Sequence, residues 1–181
     1  MSERDRASFK VNEAYHFLDN MWDSSGDEFV YNFDAYLGAA RAVTLVMQKQ
    51  YDGNDAFESY YGDAREVLGE NSAASVLLEL RIHTQHRDII SPVEHTVPVI
   101  KSEIHERGER YHKNNLPPVQ GGYNRTLHKL NLPLPQDVTD KLGEESLKNF
   151  KKEYAEEHIE IMCTAHLALL SEITERNPAS W

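Results

Sequence analysis

Apolar side chains recur along the first 91 residues at three- and four-residue steps, the spacing that puts them on one face of an α-helix. Val11, Ala14, Tyr15, Phe17, Leu18, Met21 and Trp22 form the first such stripe. Ser24-Ser25-Gly26-Asp27 interrupts it and supplies an N-cap for the next helix. The strongest helical pattern runs from Glu28 to about Gln50. There Phe29, Phe33, Tyr36, Leu37, Ala40, Val43, Thr44 and Met47 cover a broad face, and Ala39-Ala40 let a neighbour approach closely. Tyr51-Asp52-Gly53-Asn54-Asp55 reads as a turn whose Asn54 or Asp55 caps a third helix through about Leu68. Gly69-Glu70-Asn71-Ser72 ends that helix. Ser72 opens a fourth, with Val76, Leu77, Leu80 and Thr84 on its core face, which runs to about Ile89 or Ile90 before Ser91-Pro92 closes it.

Residues 92–136 differ in kind. Pro92, Pro98, Pro117, Pro118, Pro133 and Pro135, with Gly108 and Gly121-Gly122, disfavour long regular elements. Val97, Val99, Lys101 and Glu103 alternate as in a hairpin or edge strand, and a short helix over 101–111 competes with that reading. From Asp137 or Asp140 one long helix is expected to run to about Arg176, with Phe150, Tyr154, Ile161, Ala165, Leu169 and Ile173 as its stripe and a break near Gly143. The pattern predicts a single all-α domain over 1–181. It comprises a four-helix core (1–91) in an antiparallel bundle, an irregular or β-hairpin insertion (92–136) and a long C-terminal helix (137–176).

Composition narrows the function classes. A hydrophobic share of 40% and a charged share of 27% over 181 residues describe a folded domain rather than a disordered chain. One cysteine rules out an intramolecular disulfide and multi-cysteine zinc patterns. Apolar runs such as Ala165 to Leu170 fall short of the roughly 18 residues a membrane span requires. The polar start, Met1 to Lys10, shows no secretory signal, so a cytoplasmic protein without a membrane partner is expected. A net charge of −11 argues against general DNA binding, which normally shows a basic footprint. The charge is uneven, however: residues 1–91 carry 8 basic and 16 acidic side chains, 92–136 carry 6 and 4, and 137–181 carry 5 and 10. His83, His86, His95, His105, His112 and His128, six of the nine histidines, fall between 83 and 128.

Candidate chemistry lies near the end of the fourth helix, at Arg81-Ile82-His83-Thr84-Gln85-His86. A guanidinium grips phosphate through a fixed fork of donors, and an imidazole near its pKa moves a proton. Arg81 and His86 together suit metal-independent RNA cleavage, with the 2′-OH attacking the adjacent phosphorus. Spacing alone does not discriminate, since Arg107 and His112 repeat it. A plain ion pair of Arg81 with Glu79 or Asp88 and a solvated His86 is the competing reading. Glu79, His83 and His86 share a helical face that could seat a divalent ion, and Glu13-x-x-His16 has a carboxylate–metal spacing, but no second Glu-x-x-His accompanies it, so no metal or other cofactor is expected. Cys163 among Ile161, Met162 and Ala165 reads as core, as do Tyr60-Tyr61, and Gly121-Gly122 lacks the strand-to-helix context of a phosphate loop.

The stretch Asn32-Phe33-Asp34-Ala35-Tyr36-Leu37-Gly38-Ala39-Ala40-Arg41-Ala42-Val43-Thr44 resembles the long second helix of some HEPN-domain proteins. Glu79-Leu80-Arg81 and His86 follow it in a pattern similar to that family's Arg-x(4–6)-His motif, and the likeness covers about residues 32–86. The resemblance implies an all-α homodimer acting on RNA in a toxin–antitoxin or defence setting. Arg81 as phosphate clamp and His86 as general acid/base would be catalytic, His83 and Arg87 would contact substrate, and the basic stretch Lys101 to Lys129 would guide it. Active members usually carry a polar residue directly after the arginine, whereas Ile82 stands here. That departure and the overall acidity favour the alternative: a non-catalytic protein-interaction module, with an antitoxin-like partner, or a nucleotide-binding module.

Overall fold

The computed structural model describes residues 6–98 and 124–177. These form six helices and one antiparallel strand pair: α1 (Arg6–Asp23), α2 (Gly26–Gln50), α3 (Asp55–Glu70), α4 (Ser72–His86), β1 (Val93–Pro98), β2 (Asn124–Lys129), α5 (Gln136–Tyr154) and α6 (Ile159–Glu175). The fold is all-α with a hairpin insertion. Val99, Lys101, Glu103, the competing helix over 101–111, His105, Arg107, His112 and Gly121-Gly122 lie outside the described residues.

Helix α2 is the central element. Phe29, Phe33, Tyr36, Leu37, Ala40, Val43 and Met47 are all buried, as the periodicity predicts. Burying a side chain the size of Phe or Leu stabilises by roughly 1.5–3 kcal/mol each, so α2 organises the core. Helix α1 folds back along it after a two-residue connection, Ser24-Ser25, and α4 and α6 also pack on it. Asn54 caps α3, its side chain accepting from the backbone N–H of Ala56 at 3.0 Å and Phe57 at 3.1 Å, and Asn71 caps α4 through Ala74 N–H at 2.9 Å.

Three boundaries differ from expectation. Helix α4 ends at His86 rather than near Ile90, since Arg87 leaves helical geometry with φ −135°. The C-terminal segment is two helices: the backbone is non-helical at Gly143 (φ 72°), as expected, but a second, unexpected break leaves His158 extended ahead of Ile159. Ser25 makes no side-chain cap to α2. The carboxylate of Glu94, from β1, accepts the Gly26 N–H instead, at 2.6 Å.

Glu94 belongs to the polar lock that fastens the hairpin to the helices. It faces His128 across the strand pair, with Oε1 3.6 Å from Nε2 of the imidazole. On the other side of the ring, Nδ1 of His128 lies 2.7 Å from Glu160 Oε1, and the His128 backbone N–H donates to Oε2 at 3.2 Å. Both His128 and Glu160 are wholly buried, and Phe29 stacks on the imidazole at a centroid distance of 3.4 Å. The break before α6 therefore admits a glutamate into the core, where one residue satisfies both of its oxygens.

Deleting one partner of a buried hydrogen bond costs about 1–3 kcal/mol, because the other partner is left without compensation. Glu160→Ala is expected to lower unfolding stability in urea by that amount, while Lys129→Ala, which removes only the bridge to the exposed Glu156, leaves it near wild type. Equal stability of the two variants would exclude Glu160 as the anchor of the hairpin.

Candidate functional site

The surface of α2 that faces α3 and α4 does not close. Leu37, Ala40, Arg41, Thr44 and Gln48 follow one helical stripe. Opposite them stand Tyr61, Arg65 and Leu68 of α3, and Ala74, Ser75, Leu77, Leu78 and Arg81 of α4. Small residues, among them Ala40, Gly69, Ala74 and Ser75, leave a cavity of about 420 Å³ between the helices, reached from α6 by His166 and Leu170. Sites for small molecules commonly span about 300–1,000 Å³.

The polar lining is strongly one-sided. Arg41, Arg65 and Arg81 are three of the chain's ten arginines, and no carboxylate lines the cavity among the described residues. None of the three forms an ion pair with a described acid, so Arg81 is not neutralised by Glu79 or Asp88. Its Nε is buried without a hydrogen-bond partner. Arg41 is held in place by its Nη1–H donating to Thr44 Oγ1 at 3.1 Å. Gln48 donates to the Tyr61 hydroxyl at 2.9 Å, and the Tyr61 ring stacks on Phe57. Tyr61 is thus a rigid wall, while the Tyr60 hydroxyl donates to the Ile173 carbonyl at 2.7 Å.

His166 is the buried imidazole of the site, and desolvation pushes its pKa down to about 4. Its Nδ1 lies 3.0 Å from the Tyr36 hydroxyl, which also contacts the Cys163 carbonyl at 2.8 Å. Burial raises the Tyr36 phenol well above its ordinary value. It raises the Cys163 thiol likewise, with the Glu160 charge adding to the effect.

The motif residues separate. Arg81 lines the cavity, whereas His86 is exposed and does not, so one chain does not bring the two into a common pocket. His83 is buried with Nδ1 2.9 Å from Asp137 Oδ2, and Arg87 Nε lies 3.2 Å from the same oxygen. Both therefore fasten α4 to the start of α5 through Asp137, His83 from a buried position and Arg87 from an exposed one. The hydrogen bond from His83, with the Arg87 charge contributing, holds the Asp137 carboxyl below its usual range. Ile82 is exposed. The described histidines of the 83–128 cluster do not converge: His128 meets Glu160, His83 meets Asp137, and His86 and His95 are exposed. Among the described residues no three His, Cys, Asp or Glu side chains are placed to hold a metal ion, and no helix is long and apolar enough to cross a membrane. Arg41, Arg65 and His166 escape a motif search. Their signal is a basic side chain on an otherwise apolar stripe, as at Leu37–Arg41 and Leu77–Arg81. Compared with models of known families, with curated proteins and with solved structures, the chain finds no match.

His166 is neutral in the fold but ordinary, with a pKa of 6.5, when unfolded. On acidification the unfolded state takes the proton first, so the associated stability is complete above about pH 6.5 and drains as pH falls towards 4. The loss reaches about 3 kcal/mol at the acid end. Urea midpoints measured at pH 7 and pH 4.5 are expected to drop sharply in wild type and less in His166→Gln. Parallel behaviour would show that another group carries the dependence.

Proposed function

We propose that the chain is a helical binding module for a phosphate-bearing small molecule of the nucleotide class, held in the cavity between α2, α3 and α4. One observation carries this reading: three arginines without acidic partners line a cavity that no described carboxylate enters, in a chain of net charge −11. Gathered guanidiniums repel one another, and a covered one loses hydration that nothing in the described protein returns. A phosphate supplies both charge and acceptors, and the planar guanidinium fork matches its oxygens. The leucines of the lining suit the apolar faces of a base, and the volume suits a mononucleotide better than a strand.

A second reading keeps the chain as a metal-independent ribonuclease of the HEPN type, with Arg81 holding phosphate and His86 moving the proton. Its support is that Arg81 and His86 both lie on the last two turns of α4, with His86 open to solvent. This reading requires a second copy to complete the site.

Titration calorimetry with adenosine 5′-monophosphate and adenosine separates phosphate recognition from base recognition. The monophosphate is expected to bind at least tenfold more tightly, and Arg81→Ala to weaken it by about 10–100-fold. Binding should also fall with added salt. Equal affinity for the two compounds, or an unchanged Arg81→Ala, would overturn the reading. The ribonuclease reading is tested separately by incubating RNA with wild type and with Arg81→Ala/His86→Ala in EDTA, where identical inactivity rules it out.

A further inference from the structure

Resting on the nucleotide reading, we propose that His166 is a specificity residue of the same cavity: its Nε2 presents a bare acceptor that selects ligands bearing a hydroxyl or amino donor beyond their phosphate. The argument is a proton count. The Tyr36 hydroxyl owns one proton and, besides the protonated Cys163 thiol, meets the Cys163 carbonyl at 2.8 Å and His166 Nδ1 at 3.0 Å. Two oxygens at that separation need a proton between them, and a carbonyl has none to give. The tyrosine proton therefore goes to Cys163 O, and the Tyr36 oxygen accepts from Nδ1–H.

A neutral imidazole carries one ring proton, so with Nδ1 protonated the Nε2 lone pair is free. His166 lines the cavity, and its Nε2 has no hydrogen-bond partner among the described residues yet is not sealed from solvent. Arg41, Arg65 and Arg81 offer only donors, whereas His166 offers an acceptor whose tautomer is set by a buried partner. A ligand that places phosphate on the arginines and a donor on Nε2 satisfies both. One that lacks the donor leaves a buried acceptor unpaired, which is how a site rejects close analogues.

The test uses full-length wild type and three probes: adenosine 5′-monophosphate, its 2′,3′-dideoxy analogue and purine riboside 5′-monophosphate, which lack the ribose hydroxyls and the amino group respectively. Long-range ¹H–¹⁵N spectra of the histidine rings are expected to show the His166 proton on Nδ1 and the Nε2 resonance moving on addition of the monophosphate. One of the two analogues should bind about five- to tenfold more weakly, and which one identifies the donor as hydroxyl or amine. In Tyr36→Phe the tautomer is released and this discrimination should shrink to within about twofold. If that variant does not fold, the wild-type spectra and affinities decide alone. A proton on Nε2, an unmoved Nε2 resonance at saturation, or equal binding of all three probes would overturn the assignment. In those cases a loss of binding in Arg81→Ala still upholds the phosphate site, whereas no binding of any probe to wild type removes both.

Discussion

Helix α2 buries one face from Phe29 to Met47, and that constraint governs the polar chemistry inside the molecule. Wherever a hydrogen-bonding group faces α2 from within, a protein partner has to replace water. Near its N-terminal end, His128 stacks on Phe29 and is fixed by Glu160, while Glu94 caps Gly26. Midway, Tyr36 settles the proton on His166. Further along, Arg41 is steadied by Thr44 and Gln48 by Tyr61. Each set leaves one nitrogen over: His128 Nε2, with Glu94 only at 3.6 Å, His166 Nε2 and Arg81 Nε. His166 and Arg81 both line the cavity, and that pairing of a spare acceptor with a spare donor is what marks it out.

The helices were legible because amphipathic spacing reflects the same burial that the structure displays: the stripe read from Phe29 to Met47 is the buried face of α2. Caps and ends were less legible. Glu94 replaces Ser25 at the start of α2, an interaction across 68 residues that no local pattern encodes. The break at 155–158 contains no glycine or proline. Glu160, just beyond it, turns inward to His128, and a glutamate in a run of charges reads as surface in any periodicity scheme.

The site was legible only in part. Arg81 stood out through its spacing to His86, yet the structure places it beside Arg41 and Arg65, which share no sequence signature with it, and leaves His86 in solvent. His83 and Arg87, read as substrate contacts, are drawn to Asp137, fifty or more residues along the chain. Helical spacing tells which residues share a face but not what that face meets, and at α4 two adjoining faces meet an acid and a cavity. The segment-by-segment charge count pointed to the middle of the chain, whereas the arginine cluster lies within residues 1–91, where 16 acidic side chains against 8 basic ones hide it from sequence averaging.

The lone cysteine gives the molecule a built-in clock. Cys163 is fully buried, its thiol is held in the unreactive protonated form, and it lies on the turn of α6 that contacts Tyr36. Only a thiolate attacks a disulfide reagent, so labelling must wait for α6 to lift from α2. The rate at which the native protein consumes such a reagent therefore times the opening of its innermost helix pair, with no residue introduced to observe it.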